Sequence, residues 1–118
     1  MSPRRGDRVA PPPRQDEYDL RFANNDATKG WEELCREAPA NARTAFEAIR
    51  ATPCPSPQAQ RQHRLKYDLA WGRHNGQVLE QWQYEVTGAG RIWYLVSHDT
   101  RTVWLVHAGP RHPKATDR

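Results

Sequence analysis

The chain has 118 residues, of which 36% are hydrophobic and 27% charged, and its net charge at neutral pH is +4. This length is typical of one domain that can bury a modest core without disulfides or metals. No stretch approaches the roughly 20 apolar residues of a membrane span, and the start of the chain lacks the apolar segment of a signal peptide. We therefore expect a cytoplasmic protein that does not insert into membranes.

The excess of positive charge lies in the second half of the chain. Residues 1–60 contain nine Lys/Arg and nine Asp/Glu, whereas residues 61–118 contain nine and five, together with all five histidines. Clustered cations attract phosphate at long range, so this asymmetry suggests an anionic partner such as a nucleic acid. A basic face without a partner is the alternative, and charge alone does not decide between them.

The cysteines and histidines do not have the spacing of a metal site. The two cysteines, Cys35 and Cys54, are too few and too poorly spaced for a zinc motif or a disulfide framework. His107 and His112 are five positions apart, and no third ligand lies near them in the sequence. The sequence therefore predicts reduced thiols and no metal or other cofactor.

The first half of the chain predicts an arm, a strand and two helices. Residues 1–16 combine charged residues with a run of three prolines, which predicts a disordered arm outside the core. The segment YDLRFA (18–23) alternates apolar and charged residues, as a strand does. The first helix is predicted to follow a cap at Asp26 and to stop at Pro39, and the second to follow a cap at Asn41. Apolar residues recur at helical spacing in both: Trp31, Leu34, Cys35 and Ala38, then Ala42, Ala45, Phe46 and Ile49.

After a proline-rich connection, the second half predicts antiparallel strands. QWQYEVT (81–87), RIWYLVS (91–97) and TVWLVHA (102–108) are rich in aromatic and β-branched residues and are separated by short loops. YDLAWGR (67–73) predicts a fourth, edge strand that turns at HNG. The fold class is thus α+β, with a three- to four-stranded antiparallel sheet. The last two strands are apolar on both faces, so we expect helices on one face and a substrate or partner protein on the other.

This order of elements resembles the RelE/ParE toxin superfamily of type II toxin–antitoxin systems. The segments that carry the resemblance are RLKYDL (64–69), WQYEV (82–86), GRIWYLV (90–96) and VHAGPRHPK (106–114). They are similar to the family's leucine-plus-basic motif, its second strand, its Arg-x-x-Tyr third strand and the basic segment after its last strand. The resemblance covers Tyr18 to Lys114, and it implies a single RelE-like toxin domain over residues 17–118 that pairs with a cognate antitoxin.

The resemblance implies an activity but leaves alternatives open. RelE-type members are ribonucleases that cut messenger RNA, commonly on the ribosome, through attack by a ribose 2′-hydroxyl and without a metal. ParE-type members share the fold and poison DNA gyrase. We therefore expect a metal-independent endoribonuclease that inhibits translation. The alternatives are a gyrase-directed toxin and a catalytically silent RNA-binding protein of the same fold.

Cleavage by a 2′-hydroxyl needs a base, an acid and cations beside the phosphate. By resemblance, Arg91 holds the phosphate and Arg111 lies near the leaving group. Glu85 is the candidate base, and His112 or His107 is the acid. From the residues alone, the favoured interpretation of Arg91 is a surface arginine beside a turn. Glu85 is equally well interpreted as a solvated strand residue, and the alternative for His107 is a strand-edge histidine whose hydrogen bonds are satisfied. The tail also lacks the base-stacking tyrosine that is usual in RelE-type enzymes.

Further residues of the basic second half are candidates for RNA binding. Arg64, Lys66, Arg73 and Lys114 are the cations expected to contact the RNA backbone. Trp71 lies in a basic stretch and fits no core pattern, so it is the candidate for stacking on a base.

Overall fold

The structure, a computed structural model, describes residues 2–113. Over this range two helices pack against one face of a six-stranded sheet, and the predicted α+β class is confirmed. The helices are α1 (Asn25–Glu37) and α2 (Pro39–Ala51), and the strands are β1 (Asp19–Phe22), β2 (Gln62–Arg64), β3 (Trp71–His74), β4 (Gln77–Glu85), β5 (Arg91–Ser97) and β6 (Thr102–Gly109). No helix in the described range is both long and apolar enough to cross a bilayer.

The sheet is larger than predicted, and it is mixed. Its strands are ordered β1, β6, β5, β4, β2, and β3 also pairs with β4. The predicted antiparallel meander is present as β4, β5 and β6, but β1 joins the sheet parallel to β6, with Leu20 opposite Val103. Alternation in a short strand shows which of its faces is buried, but it does not show which strand it will pair with.

Both helices begin earlier than predicted. The side chain of Asn24, and not that of Asp26, accepts the capping hydrogen bond from the Ala27 amide at 2.7 Å. The predicted break at Pro39 is instead the start of α2, because the first turn of a helix leaves its amide hydrogens unpaired and so tolerates proline. Asn41 therefore lies inside α2, where its side chain donates to the Val86 carbonyl at 3.1 Å.

β2 begins at Gln62, the last residue of the predicted proline-rich connection (53–62), where the sequence predicts no strand. Its three residues are all polar, so no apolar alternation marks them. Gln62 is nevertheless buried, and its amide nitrogen donates to Thr52 O at 2.8 Å and to the Tyr94 hydroxyl at 3.0 Å. These bonds and the pairing with β4 hold the strand at the edge of the sheet.

The predicted edge strand forms as β3, but over only part of its predicted length. Residues 67–70 make one turn of 3₁₀ helix instead, and β3 begins at Trp71. Asn75 and Gly76 connect β3 to β4 with φ angles of 50° and 79°. Two successive residues with positive φ are what a two-residue hairpin turn requires.

The two faces of the sheet have different covers. On the helix side, β5 contributes Tyr94 and its alternate neighbours to the hydrophobic core. The opposite face, here called the second face, is partly covered by the β3–β4 hairpin. The centre of the His74 ring of this hairpin lies 4.2 Å from the centre of the Trp104 ring. Gly72 permits this approach, because a Cβ there would lie 2.5 Å from Leu95 Cδ2. The chain itself thus supplies part of the cover that the sequence led us to expect from a substrate or partner.

The N-terminal arm contributes to the core, contrary to the sequence-based expectation. Val9 is 3% exposed and belongs to the hydrophobic core. Backbone bonds of 2.7 Å run from Val9 N to Leu20 O and from Gly6 N to Phe22 O, and they hold the arm against β1. A single apolar residue among prolines and arginines has no periodicity, so no sequence pattern marked it. The domain boundary at residue 17 stays a prediction.

Candidate active site on the second face

Four side chains form one row across the second face of the sheet. The strand registers place His63 of β2 opposite Gln83 of β4, Gln83 opposite Trp93 of β5, and Trp93 opposite His107 of β6. Trp93 Nε1 donates to Gln83 Oε1 at 2.7 Å, and Gln83 Nε2 lies 3.4 Å from His63 Nε2. The Trp93 and His107 rings meet edge to face, 6.2 Å apart. The row therefore fixes two imidazoles at its ends.

His107 reaches this row because of an irregularity in β6. Tyr94 pairs with Leu105 and Trp93 pairs with His107, so the register shifts and Val106 is the extra residue of a bulge. Without the bulge, His107 would share the helix-facing side with Leu105, since residues two apart in a strand point the same way. Bulges commonly re-aim a side chain next to a functional site.

The surroundings of His107 favour its neutral form. Burial lowers the pKa of His107 below the ordinary value of 6.5, and a hydrogen bond with the Arg111 backbone acts in the opposite direction. Its Nε2 atom is buried and has no hydrogen-bond partner within residues 2–113. This nitrogen is therefore an unpaired polar atom at the end of the row.

The free energy of unfolding should depend on pH because His107 is buried. The pKa values of His107 and His74 are both lowered in the folded state, so near pH 6 the unfolded chain binds more protons than the folded one. The free energy of unfolding should therefore fall as the pH drops below about 6.5. In urea unfolding followed from pH 8 to pH 5, His107→Gln should reduce the slope. His112→Gln, which changes an exposed histidine of the same tail, should keep it; equal slopes in all three proteins would contradict this interpretation.

Glu85 and His63 form a second pair on this face. Glu85 Oε2 lies 3.3 Å from His63 Nε2, and the two side chains are 34% and 31% exposed. Across the next strand pair, Glu85 lies directly opposite Arg91. The carboxylate is therefore partly accessible to solvent and next to an imidazole, and Arg91 is its residue's partner in the strand register. Sequence reasoning missed His63, because it lies in a polar segment and only the pairing of β2 with β4 brings it near Glu85.

Arg91 is buried, with 8% exposure, at the start of β5. Its NH1 atom donates to the carbonyl oxygens of Thr87, Gly88 and Gly90 at 3.1, 3.2 and 3.0 Å. One side of the guanidinium thus braces the loop between β4 and β5. A phosphate therefore has to approach the other side of the guanidinium, which carries Nε and NH2. The role of Arg91 in holding a phosphate stays a prediction.

The end of β6 and the residues after it form a pocket with α1. This tail pocket has a volume of about 350 Å³ and is lined by Glu33 and residues 107–113. Arg111 NH2 lies 3.2 Å from Glu33 Oε2, so the arginine pairs with α1, and its side chain is 75% exposed. His112 is exposed at the same pocket. Of the predicted tail residues, the structure brings Arg111 and His112 next to His107, whereas Lys114 lies outside the described range.

Four of the predicted RNA-binding residues lie within residues 64–73. Arg64 donates to Ala70 O from Nε and NH2 at 3.0 and 2.8 Å, and its guanidinium stacks 4.5 Å from the Trp71 ring centre. Arg64 is thus partly structural, whereas Lys66 and Arg73 are exposed, and their contact with the RNA backbone stays a prediction.

The same segment presents two exposed aromatic rings. Trp71 is 57% exposed and Tyr67, which sequence reasoning did not single out, is 90% exposed. Tyr67 also has a positive φ of 54°, an uncommon backbone conformation for an aromatic residue. We call residues 64–73 the aromatic–basic segment.

Comparisons with known proteins found no relative. The chain matches no protein-family model, no curated protein and no solved structure. The resemblance to the RelE/ParE superfamily therefore rests on its four sequence segments and on the order of its elements.

Proposed function

We propose that the protein is an endoribonuclease toxin of the RelE type, which cleaves messenger RNA by attack of a ribose 2′-hydroxyl and is neutralised by a cognate antitoxin. The position of Glu85 carries the proposal. Its partly accessible carboxylate lies 3.3 Å from His63 Nε2, and Glu85 pairs with Arg91 in the strand register. A proton acceptor, an imidazole and a cation in one place are the groups that this chemistry requires.

Glu85 is the base in this mechanism. It takes the proton of the 2′-hydroxyl, and the oxygen then attacks the adjacent phosphorus. His63 orients the carboxylate through their hydrogen bond. Arg91 stabilises the charge that builds on the phosphate, because guanidinium matches phosphate oxygens in bidentate geometry.

His107 is the acid that protonates the departing 5′ oxygen. Adjacent strands lie about 4.8 Å apart, so His63 and His107, separated by three strand spacings, lie about 14 Å apart along the backbone. They are too far apart to act on one phosphate as a pair. Glu85 is one strand closer to His107, and a phosphate over β5 lies between them. A bound phosphate also favours the protonated imidazole and so opposes the effect of burial on His107.

The aromatic–basic segment supports RNA as the substrate. Stacking of a base on an aromatic ring contributes about 1–3 kcal/mol and tolerates any sequence. Trp71 and Tyr67 offer such rings, and Lys66 and Arg73 provide exposed cations beside them. The aromatic–basic segment binds single-stranded RNA through base stacking and backbone charge, without selecting a base sequence.

Expression without an antitoxin tests this function in cells. We expect growth arrest and new 5′-hydroxyl ends within translated messages, mapped by RNA sequencing. The matched control is Glu85→Gln at equal soluble expression, which should restore growth. Growth arrest with intact messages and accumulating DNA breaks would support the gyrase-directed alternative. Normal growth at high soluble expression of the unchanged chain would contradict both toxin functions, and binding of RNA without cleavage would support the silent RNA-binding protein.

A further inference from the structure

Three side chains with metal-ligating atoms meet at the end of the sheet where β5 turns into β6. Cys54 follows α2, Glu80 lies on β4 and His98 lies in the β5–β6 turn. Cys54 Sγ is 3.3 Å from Glu80 Oε1 and 3.8 Å from His98 Nε2. His98 Nε2 is 3.2 Å from Glu80 Oε2. Sequence spacing could not reveal this cluster, because its members are 26 and 18 positions apart.

We propose that Cys54, Glu80 and His98 bind a divalent transition-metal ion of the zinc type. In a tetrahedral zinc site the Zn–S bond is about 2.3 Å and the Zn–N and Zn–O bonds are about 2.0–2.2 Å, so ligand atoms lie about 3.3–3.6 Å from one another. The separations of His98 Nε2 from Glu80 Oε2 and from Cys54 Sγ, 3.2 and 3.8 Å, are close to those edges, and one ligand atom from each of the three residues lies within 4.8 Å of the other two. Sulfur, imidazole nitrogen and carboxylate oxygen together are a typical zinc ligand set.

Neighbouring side chains hold two of these ligands in a suitable orientation. Tyr18 Oη lies 2.9 Å from His98 Nδ1, so this ring nitrogen has a partner and Nε2 can face a metal. Trp82 Nε1 donates to Glu80 Oε1 at 2.7 Å, which leaves Oε2 for coordination. Metal-ligating histidines and carboxylates usually have such supporting hydrogen bonds. The His98 side chain is 52% exposed, so water can reach a fourth coordination position.

A cysteine nucleophile is a less suitable interpretation of the same cluster. In a catalytic triad the acid holds the histidine nitrogen remote from the nucleophile, whereas here Glu80 and Cys54 contact the same Nε2 atom. Burial and the nearby Glu80 carboxylate also raise the pKa of the Cys54 thiol to about 12, so the reactive thiolate is rare at neutral pH. A divalent cation supplies the positive charge that a thiolate and a carboxylate need when they face each other. Arg64 NH1 approaches Glu80 Oε1 only to 4.0 Å.

This site is separate from the proposed active site. Glu80 and Glu85 lie five residues apart on β4, about 17 Å along the strand, and on opposite faces of the sheet. The metal is therefore structural with respect to RNA cleavage. It links the segment after α2 to the β5–β6 turn, and it is testable whether or not the chain cleaves RNA.

Cobalt binding tests the proposal directly. The full chain is stripped with a chelator under reducing conditions and titrated with Co²⁺. We expect saturation at one equivalent, with a sulfur-to-cobalt charge-transfer band and the visible bands of tetrahedral cobalt, all abolished by added Zn²⁺. Cys54→Ser should lose the sulfur band. Cys35→Ser, which removes the other cysteine, should keep it.

A second variant tests the metal site even if Cys54→Ser fails to fold. His98 is exposed, so His98→Gln should fold as judged by circular dichroism, and it should weaken Co²⁺ binding by about tenfold or more, since even the loss of a supporting hydrogen bond commonly has that effect. The absence of a sulfur band in the unchanged chain would overturn the proposal. An equal loss of the band in Cys35→Ser, or full binding by His98→Gln, would overturn it as well.

Discussion

Replacement of Glu85 by glutamine should slow RNA cleavage by about 10²- to 10⁴-fold, the range contributed by a positioned general base. The amide keeps the size of the side chain, but it cannot take the proton of the 2′-hydroxyl. Single-turnover cleavage of a labelled RNA measures the effect on the chemical step. Glu47→Gln makes the same change in an exposed ion pair on α2, so it should leave the rate unchanged.

The outcome also decides between the two sequence-based interpretations of Glu85. An unchanged rate would make it a solvated strand residue with no catalytic role. His63→Gln refines the answer, because a residue that only orients the carboxylate should have a smaller effect than Glu85→Gln. A larger effect for His63→Gln would make the imidazole the base and Glu85 its support.

Arg91→Ala should have the second largest effect, and it should lower both activity and stability. Loss of one preorganised charge donor typically slows catalysis by about 10²- to 10³-fold. An exposed arginine would contribute little to stability, but Arg91 is buried and its NH1 atom donates to three carbonyl oxygens of the β4–β5 loop. Since bonds from charged donors contribute about 1.5–3 kcal/mol each, we expect a loss of about 2 kcal/mol or more in urea unfolding.

Arg111→Ala is the matched control for the structural part of this effect. Its guanidinium is exposed and forms a surface ion pair with Glu33, 3.2 Å away, so the cost in stability should stay below about 1 kcal/mol. If Arg111 lies near the leaving group, cleavage should still slow by about 10²-fold. Arg91→Ala with full activity at a temperature where it is folded would reduce Arg91 to a brace of the loop.

The sequence predicted the elements well where hydrophobic periodicity was strong. The helix pair and the strands β4 to β6 have clear apolar patterns, and their burial follows from those patterns. Val9 and β2 could not be predicted in this way, because a lone valine and three polar residues have no periodicity. The parallel pairing of β1 with β6 could not be predicted either, because alternation in a short strand does not show which strand it will pair with.

The candidate site could be predicted only in part, for two physical reasons. Glu85 and Arg91 were found from strand pattern and resemblance, but His63 joins them only through a strand register. His107 faces the same surface because of a bulge at Val106, and one extra residue in a strand changes every later side chain from one face to the other.

The central claim is that this surface cleaves RNA through a 2′-hydroxyl, and product chemistry tests it most directly. Purified protein is incubated with a defined RNA, with and without ribosomes, and in parallel with the same RNA carrying a single 2′-deoxyribose at the mapped cleavage position. We predict fragments with 5′-hydroxyl ends and 2′,3′-cyclic phosphates, no cleavage at the deoxy position, and no loss of cleavage when a chelator is present. RNA that stays intact under both conditions, or cleavage that persists at the deoxy position, would contradict the account.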